Sequence, residues 1–301
     1  MTDRRRIALY GLGSMGLGMA RSLVRAGHET HGLDIDAGRV AAFREDGGAD
    51  GEIADVAASL DAVVVVVLNA AQTESVLFGE AGIVPRLAAG AVVVACATVP
   101  PAFARDMAAR CAERDVHYLD APISGGATKA ASGELSIMAS GTPAAFAAAR
   151  PALDATATTV FELGDEAGAG SAMKAVNQLL AGVHIAAMAE ALTFGMTQGI
   201  EPSRFVEVIS RCAGTSWMLE NRAPHVVDGD YTPRSSVDIW PKDLGIVMDI
   251  ARSASFSAPL TAAALQQFLA ASGSGLGRED DAAVAKVYAR NAGLTLPGTG
   301  T

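Results

Sequence analysis

Lys174 is set in "GAGSAMKAVNQLL", residues 168–180, a run of small and apolar residues that otherwise reads as a buried helix. An ammonium group in such surroundings needs a partner or a purpose, because desolvating an unpaired charge is costly. On a helix, Lys174 and Asn177 are three positions apart and share a face, so an ammonium and an amide point together at whatever that face lines. Such a pair can transfer a proton and orient a reacting oxygen. The alternative for an ordinary helix is a lysine whose stem lies on apolar surface while its head reaches water. Here Ala, Met, Val and Leu surround it, and Gly168 and Gly170 allow another segment to come close.

A second group of residues suits a phosphate-bearing ligand. "RIALYGLGSMGLGMARSLVRAGHETHGLDID" reads strand, turn, helix, strand, with Gly11, Gly13 and Gly16 in a G-x-G-x-x-G pattern between the first strand and the helix. The first glycine permits the tight turn, the second lets backbone approach a pyrophosphate, and the third lets helix and strand pack closely. The helix start adds N–H groups and the positive end of its dipole. An ordinary glycine-rich turn is the competing reading, but Asp34 ends the second strand where a carboxylate accepts ribose 2′-hydroxyls and repels a 2′-phosphate. That favours NAD over NADP, while Arg39 keeps a 2′-phosphate partner available.

A third stretch, "DAPISGG" at 120–126, follows another strand end, where open α/β sheets bind ligands. Ser124 offers a hydroxyl and Gly125–Gly126 offer two backbone donors, a pocket suited to a carboxylate; a plain turn is the alternative.

The scaffold that must carry these residues is legible from apolar patterning. Up to about Gly164, short β-rich runs alternate with helical stretches, and runs such as "AVVVVVL" are apolar at successive positions, as in strands of a parallel sheet covered on both faces. This is an α/β pattern, assigned to residues 1–164. In residues 165–301 the β runs stop and helical patterns take over, from Ser171 to about Gln198 and onward, predicting an all-α second domain.

Bulk properties exclude several function classes. A net charge of -10 leaves no clustered Lys/Arg for nucleic acid or an anionic membrane surface, and "RRR" at Arg4–Arg6 reads as a solvated lead-in to the first strand. The apolar stretch around residue 180 is interrupted by Lys174, Asn177, Gln178 and His184, which argues against a membrane span. Cys96, Cys111 and Cys212 form neither a disulfide framework nor a zinc knuckle, and the histidines show no metal-ligand spacing, so no metal is expected. A soluble, cytoplasmic chain is the expectation. Nearly uncharged helical faces predict a homodimer or homotetramer.

Together these stretches resemble the β-hydroxyacid dehydrogenase family, which includes 3-hydroxyisobutyrate dehydrogenase and tartronate semialdehyde reductase. "GLGSMGLGMA" is similar to its cofactor loop, "DAPISGG" to its substrate loop, "GAGSAMKAVNQ" to its catalytic helix and "KDLGIV" to a late cofactor-closing motif. The resemblance implies an N-terminal Rossmann domain binding NAD, an all-α C-terminal domain and a small hydroxyacid substrate. It makes Lys174 the catalytic acid/base and gives the substrate to Ser124, Gly125, Gly126 and Asn177. It assigns dinucleotide contacts to Gly11, Gly13, Ser14, Met15, Gly16, Asp34, Leu68, Asn69, Thr98 and Lys242.

Two departures stand out: the usual Asn-Asn after the lysine is Asn177-Gln178, and the serine before the threonine of the fourth-strand motif is Ala97. Segments such as "LNAAQ" and "GREDDAAVAKVY" look most like the family's L-threonate dehydrogenase branch, which implies oxidation of L-threonate at C2. Asn221, His225 and Asp238 are candidates for reading the extra hydroxyls, against a purely structural use of each. Another hydroxyacid substrate, or a non-catalytic dinucleotide-binding module, are the rival readings.

Overall fold

Strands whose every residue is apolar cannot have a wet face, and here they form the centre of a sheet. In the structure, a computed structural model describing residues 4–299, β1 (Arg6–Tyr10), β2 (Glu29–Leu33), β3 (Ala62–Val65), β4 (Val92–Ala95) and β5 (His117–Asp120) pair in parallel in the order β2-β1-β3-β4-β5. Every residue of β3 and β4 is buried. Alternate side chains serve opposite faces: Leu9, Val64 and Val94 join one apolar cluster, and Ala8, Val63 and Val93 join another.

The helices of this part are α1 (Gly16–Arg25), α2 (Ala37–Glu45), α3 (Ile53–Val56), α4 (Ala70–Phe78), α5 (Pro101–Ala112), α6 (Gly126–Ser132) and α7 (Pro143–Thr156). Met19 and Leu23 of α1 pack in the first cluster, while Leu77 of α4 and Met107 of α5 pack in the second. The strand order reverses between β1 and β3, so the loops leaving their C-terminal ends frame the switch point at which such sheets bind ligands.

A second sheet departs from the all-parallel pattern. In it β6 (Ile123–Ser124) runs antiparallel to β7 (Leu135–Ala139), which is parallel to β8 (Ala157–Glu162). A two-residue strand has no periodicity to read, and an antiparallel bridge between Asp120 and Ser140 ties this sheet to the end of β5. The basic run leads into the first strand, exposed to solvent and paired with acids. Arg6 opens β1 and pairs with Glu29 of β2 at 2.6 Å, and Arg5 pairs with Asp61 at 3.2 Å.

The chain divides into two units after Lys174, within the long helix α8 (Ala169–Thr197) and beyond Gly164, where the strand pattern ends. The second unit continues through α9 (Pro202–Ile209), α10 (Trp217–Asp228), α11 (Ile239–Ser253), α12 (Pro259–Ala271) and α13 (Ala285–Asn291), with no strand among the described residues. Trp240 stacks on Phe268 at 5.4 Å in its core, with Leu192, Leu244 and Val284. Helix α10 was not anticipated from the sequence, because Pro224 lies inside it. Its ends nevertheless carry ordinary signals: Ser216 accepts from Leu219 N at 3.1 Å, and Gly229 closes the helix with φ +65°. By length and hydropathy alone α8 is apolar enough to cross a membrane. Its buried Ser171, Lys174 and Gln178 instead bond to protein groups.

A buried ion cluster pins the second unit. Asp281, fully buried, accepts from Arg222 Nε at 2.5 Å and from Trp240 Nε1 at 3.0 Å. Its neighbour Asp280 contacts His225 Nδ1 at 2.8 Å and accepts from the backbone N–H of Arg234 at 3.0 Å. Burial pushes the Asp280 carboxyl up, but His225 and the backbone donors outweigh that and hold it below the usual range. The unfolded chain therefore binds the proton more readily, and Asp280 contributes stability that is complete above about pH 4 and lost as pH falls through the lower folded value. We expect acid unfolding, followed by circular dichroism, to lose part of its steepness in Asp280→Asn. Asp281→Ala, which strands Arg222 and Trp240, should cost about 3 kcal/mol in a urea titration.

Candidate active site

The glycine loop after β1 has room for nothing but hydrogen at two positions. A Cβ on Gly11, where φ is +98°, would lie 2.4 Å from Val66 O, and one on Gly16 would lie 1.7 Å from Gly11 O. At Gly13 the nearest atom to a Cβ would be Arg39 Nη1 at 4.0 Å, so the outer face of the loop is open. Ser14 and Met15 lead into α1, and no side chain caps its start, which leaves first-turn N–H groups to an anion. This is the geometry of a dinucleotide phosphate cradle.

Asp34 follows β2 directly, with its carboxylate oxygens accepting from Leu12 N at 2.7 Å and Asp36 N at 2.9 Å. It thereby joins the glycine loop to the end of the neighbouring strand. Leu68 and Asn69 follow β3: Asn69 Oδ1 accepts from Gln72 N at 2.9 Å and Leu68 N donates to Gln72 Oε1 at 2.8 Å, a reciprocal cap that starts α4. Thr98, half-buried, follows β4. All the expected dinucleotide contacts of the first unit thus lie at the carboxyl edge of adjacent strands.

The small-residue loop at 120–126 is built differently from a simple turn. Ser124 is the last residue of β6, opposite Ser136 of β7, and Gly125 and Gly126 follow with φ +133° and +76°. Both values lie where only glycine is comfortable.

Lys174 is buried, with 8% of its surface exposed, and its Nζ donates to Ile123 O at 2.8 Å, next to Ser124. The ammonium group is therefore not a snorkelling one. What aims it is Asp120, which the sequence reading quoted only as the start of a loop. The buried Asp120 carboxylate accepts from Gly168 N at 2.9 Å, Ser171 N at 2.8 Å and Ser171 Oγ at 2.6 Å, where α8 begins. A Cβ on Gly170 would lie 2.4 Å from Met138 O, so only glycine lets this turn sit against β7. Burial pushes the Asp120 carboxyl above its usual range despite these donors.

In the second unit the expected site residues join a chain of polar groups. Asn177 Nδ2 donates to Gln178 Oε1 at 2.9 Å, Gln178 Nε2 donates to Asp243 Oδ2 at 2.5 Å, and Lys242 Nζ pairs with Asp243 Oδ1 at 2.6 Å. Gln178, at the position departing from the family's Asn-Asn, is what links Asn177 to Asp243. No local signal marks Asp243 as a partner, since the contact spans 65 positions. Of the other polar candidates, His225 is engaged by Asp280, Asp238 accepts from Ser272 Oγ at 2.6 Å, and Asn221 accepts from Arg222.

Comparison with known proteins gives the family. Residues 6–164 match the family model for the NAD binding domain of 6-phosphogluconate dehydrogenase, and residues 168–288 match that for NAD-binding of NADP-dependent 3-hydroxyisobutyrate dehydrogenase. The L-threonate dehydrogenase of Cupriavidus necator is 48% identical over 98% of both chains. The chain belongs to the 3-hydroxyisobutyrate dehydrogenase-like family. As a member it is an NAD(P)-dependent hydroxyacid dehydrogenase, a Rossmann domain followed by a helical domain. The L-threonate dehydrogenase of Escherichia coli K12 is also 48% identical, over 97% of this chain and 96% of the relative. The crystal structure of 3-hydroxyisobutyrate dehydrogenase from Salmonella typhimurium superposes with a TM-score of 0.89 at 47% identity, covering 95% of this chain and 100% of that one.

Two substitutions test the geometry. Gly16→Ala forces the loop apart from Gly11 O and is expected to weaken NADH binding at least tenfold in a fluorescence titration. Asp120→Ala leaves buried N–H groups without an acceptor and should cost about 2–4 kcal/mol in thermal unfolding, whereas Asp120→Asn, neutral and still an acceptor, should cost less than half of that.

Proposed function

We propose that this dehydrogenase oxidises L-threonate at C2 to 2-dehydro-L-erythronate with NAD, using Lys174 as the general acid/base. The observation that carries the substrate is the 48% identity to L-threonate dehydrogenases over nearly the full chain. The nicotinamide cofactor supplies the hydride acceptor. The glycine loop and Asp34 hold its phosphates and ribose, and the carboxylate at Asp34 favours a cofactor without a 2′-phosphate. Leu68, Asn69, Thr98 and Lys242 complete the dinucleotide contacts.

Ser124 Oγ and the N–H groups of Gly125 and Gly126 take the substrate carboxylate, which fixes the reacting carbon before chemistry begins. Lys174 Nζ, held by Ile123 O, as a neutral amine takes the proton of the C2 hydroxyl as that carbon gives up its hydride, and as an ammonium returns it in the reverse direction. Asn177 orients the reacting oxygen, with its amide fixed through Gln178 to Asp243. The exposed apolar side chains Val176, Leu180 and Phe194 of α8 support assembly as a homodimer or homotetramer, which light scattering on the eluting protein would read.

A second reading, oxidation of 3-hydroxyisobutyrate, is favoured by the 47% identity to the 3-hydroxyisobutyrate dehydrogenase of Salmonella typhimurium. Initial rates of NADH formation with L-threonate, D-threonate, D- and L-erythronate, L-serine and 3-hydroxyisobutyrate separate the two. The proposal expects L-threonate to give the highest kcat/KM. A maximum on 3-hydroxyisobutyrate overturns the substrate and leaves Lys174 in place.

A further inference from the structure

The end of β2 holds a cation between two carboxylates. Arg39, in the first turn of α2, places Nη1 3.7 Å from Asp34 Oδ2 and Nε 3.5 Å from Asp36 Oδ2. The same Nη1 is the nearest atom to where a Cβ on Gly13 would lie. Arg39 therefore lies between the open face of the glycine loop and the carboxylate that receives the ribose hydroxyls, which is where a 2′-phosphate would arrive. A guanidinium at that place is the natural partner of a phosphate. In this chain its charge is already shared by two acids.

The two acids have unequal duties. The Asp34 side chain is 7% exposed and accepts from two backbone N–H groups, one of them in the glycine loop, so it builds the site as well as reading the ribose. The Asp36 side chain is 54% exposed, and only its Oδ1 has a structural task, accepting from Gly38 N at 2.9 Å to cap α2. Its Oδ2 faces Arg39.

We infer that Asp36 is a specificity-determining residue of the cofactor site: it occupies Arg39, so that an adenosine 2′-phosphate finds its cation already engaged. The inference rests on the reading of the chain as a dehydrogenase that prefers NAD, and it places part of that preference outside Asp34. Asn is as good a helix cap as Asp, so Asp36→Asn removes the charge while keeping α2 started.

The test is fluorescence titration of the full-length protein with NADH and with NADPH, reading the ratio of the two dissociation constants. Wild type should bind NADH more tightly. Asp36→Asn should move the ratio toward NADPH about threefold to fivefold, the size of effect one exposed charge pair gives. Adding Arg39→Ala to that variant should remove the gain. An unmoved ratio in Asp36→Asn overturns the inference, and so does a gain that survives Arg39→Ala, since Arg39 would then play no part. Wild type that binds NADPH as tightly as NADH overturns the NAD preference itself, a failure distinct from the first two.

Discussion

A single buried carboxylate holds the candidate site together. Asp120 ends the last strand of the parallel sheet and caps the first turn of α8 through Gly168 and Ser171. One turn further along that helix, Lys174 reaches back to Ile123 O, three residues past Asp120. The segment at 120–124 and the segment at 168–174 are thus fastened twice, once by an acid on a helix start and once by an ammonium on a carbonyl. Burial disfavours the Asp120 charge, and the helix N–H groups offset only part of that cost where the dipole is positive. Rotation of α8 about its axis would break both fastenings, so the direction of the lysine follows from its seat.

The cofactor side is governed by a different constraint, close backbone approach at strand ends. Gly11 and Gly16 lie within contact of Val66 and of each other, and Asp34 draws the loop onto β2. Protein contacts alone therefore define the path of this loop.

Much of this was legible in the sequence where the physics is local. Strands β3 and β4 announce themselves because parallel strands covered on both faces are uniformly apolar, and the glycine loop because its spacing answers to backbone sterics. The close approach at Gly168 and Gly170 was also readable, since two glycines at the start of a buried helix leave space for a neighbouring backbone. Illegible parts depend on distant partners or on short elements. β6 is two residues long, α10 contains Pro224, and the roles of Asp120 and Asp243 arise from contacts 48 to 65 positions away.

The account stands most directly on what Lys174 does. The measurement is turnover and NADH affinity of Lys174→Met, a variant that keeps the stem's bulk and loses the proton carrier, using the best hydroxyacid of the wild-type protein. The account predicts that kcat falls at least a hundredfold while NADH still binds within about threefold of wild type. Turnover within about threefold of wild type in that variant would contradict it and return the buried lysine to a structural role.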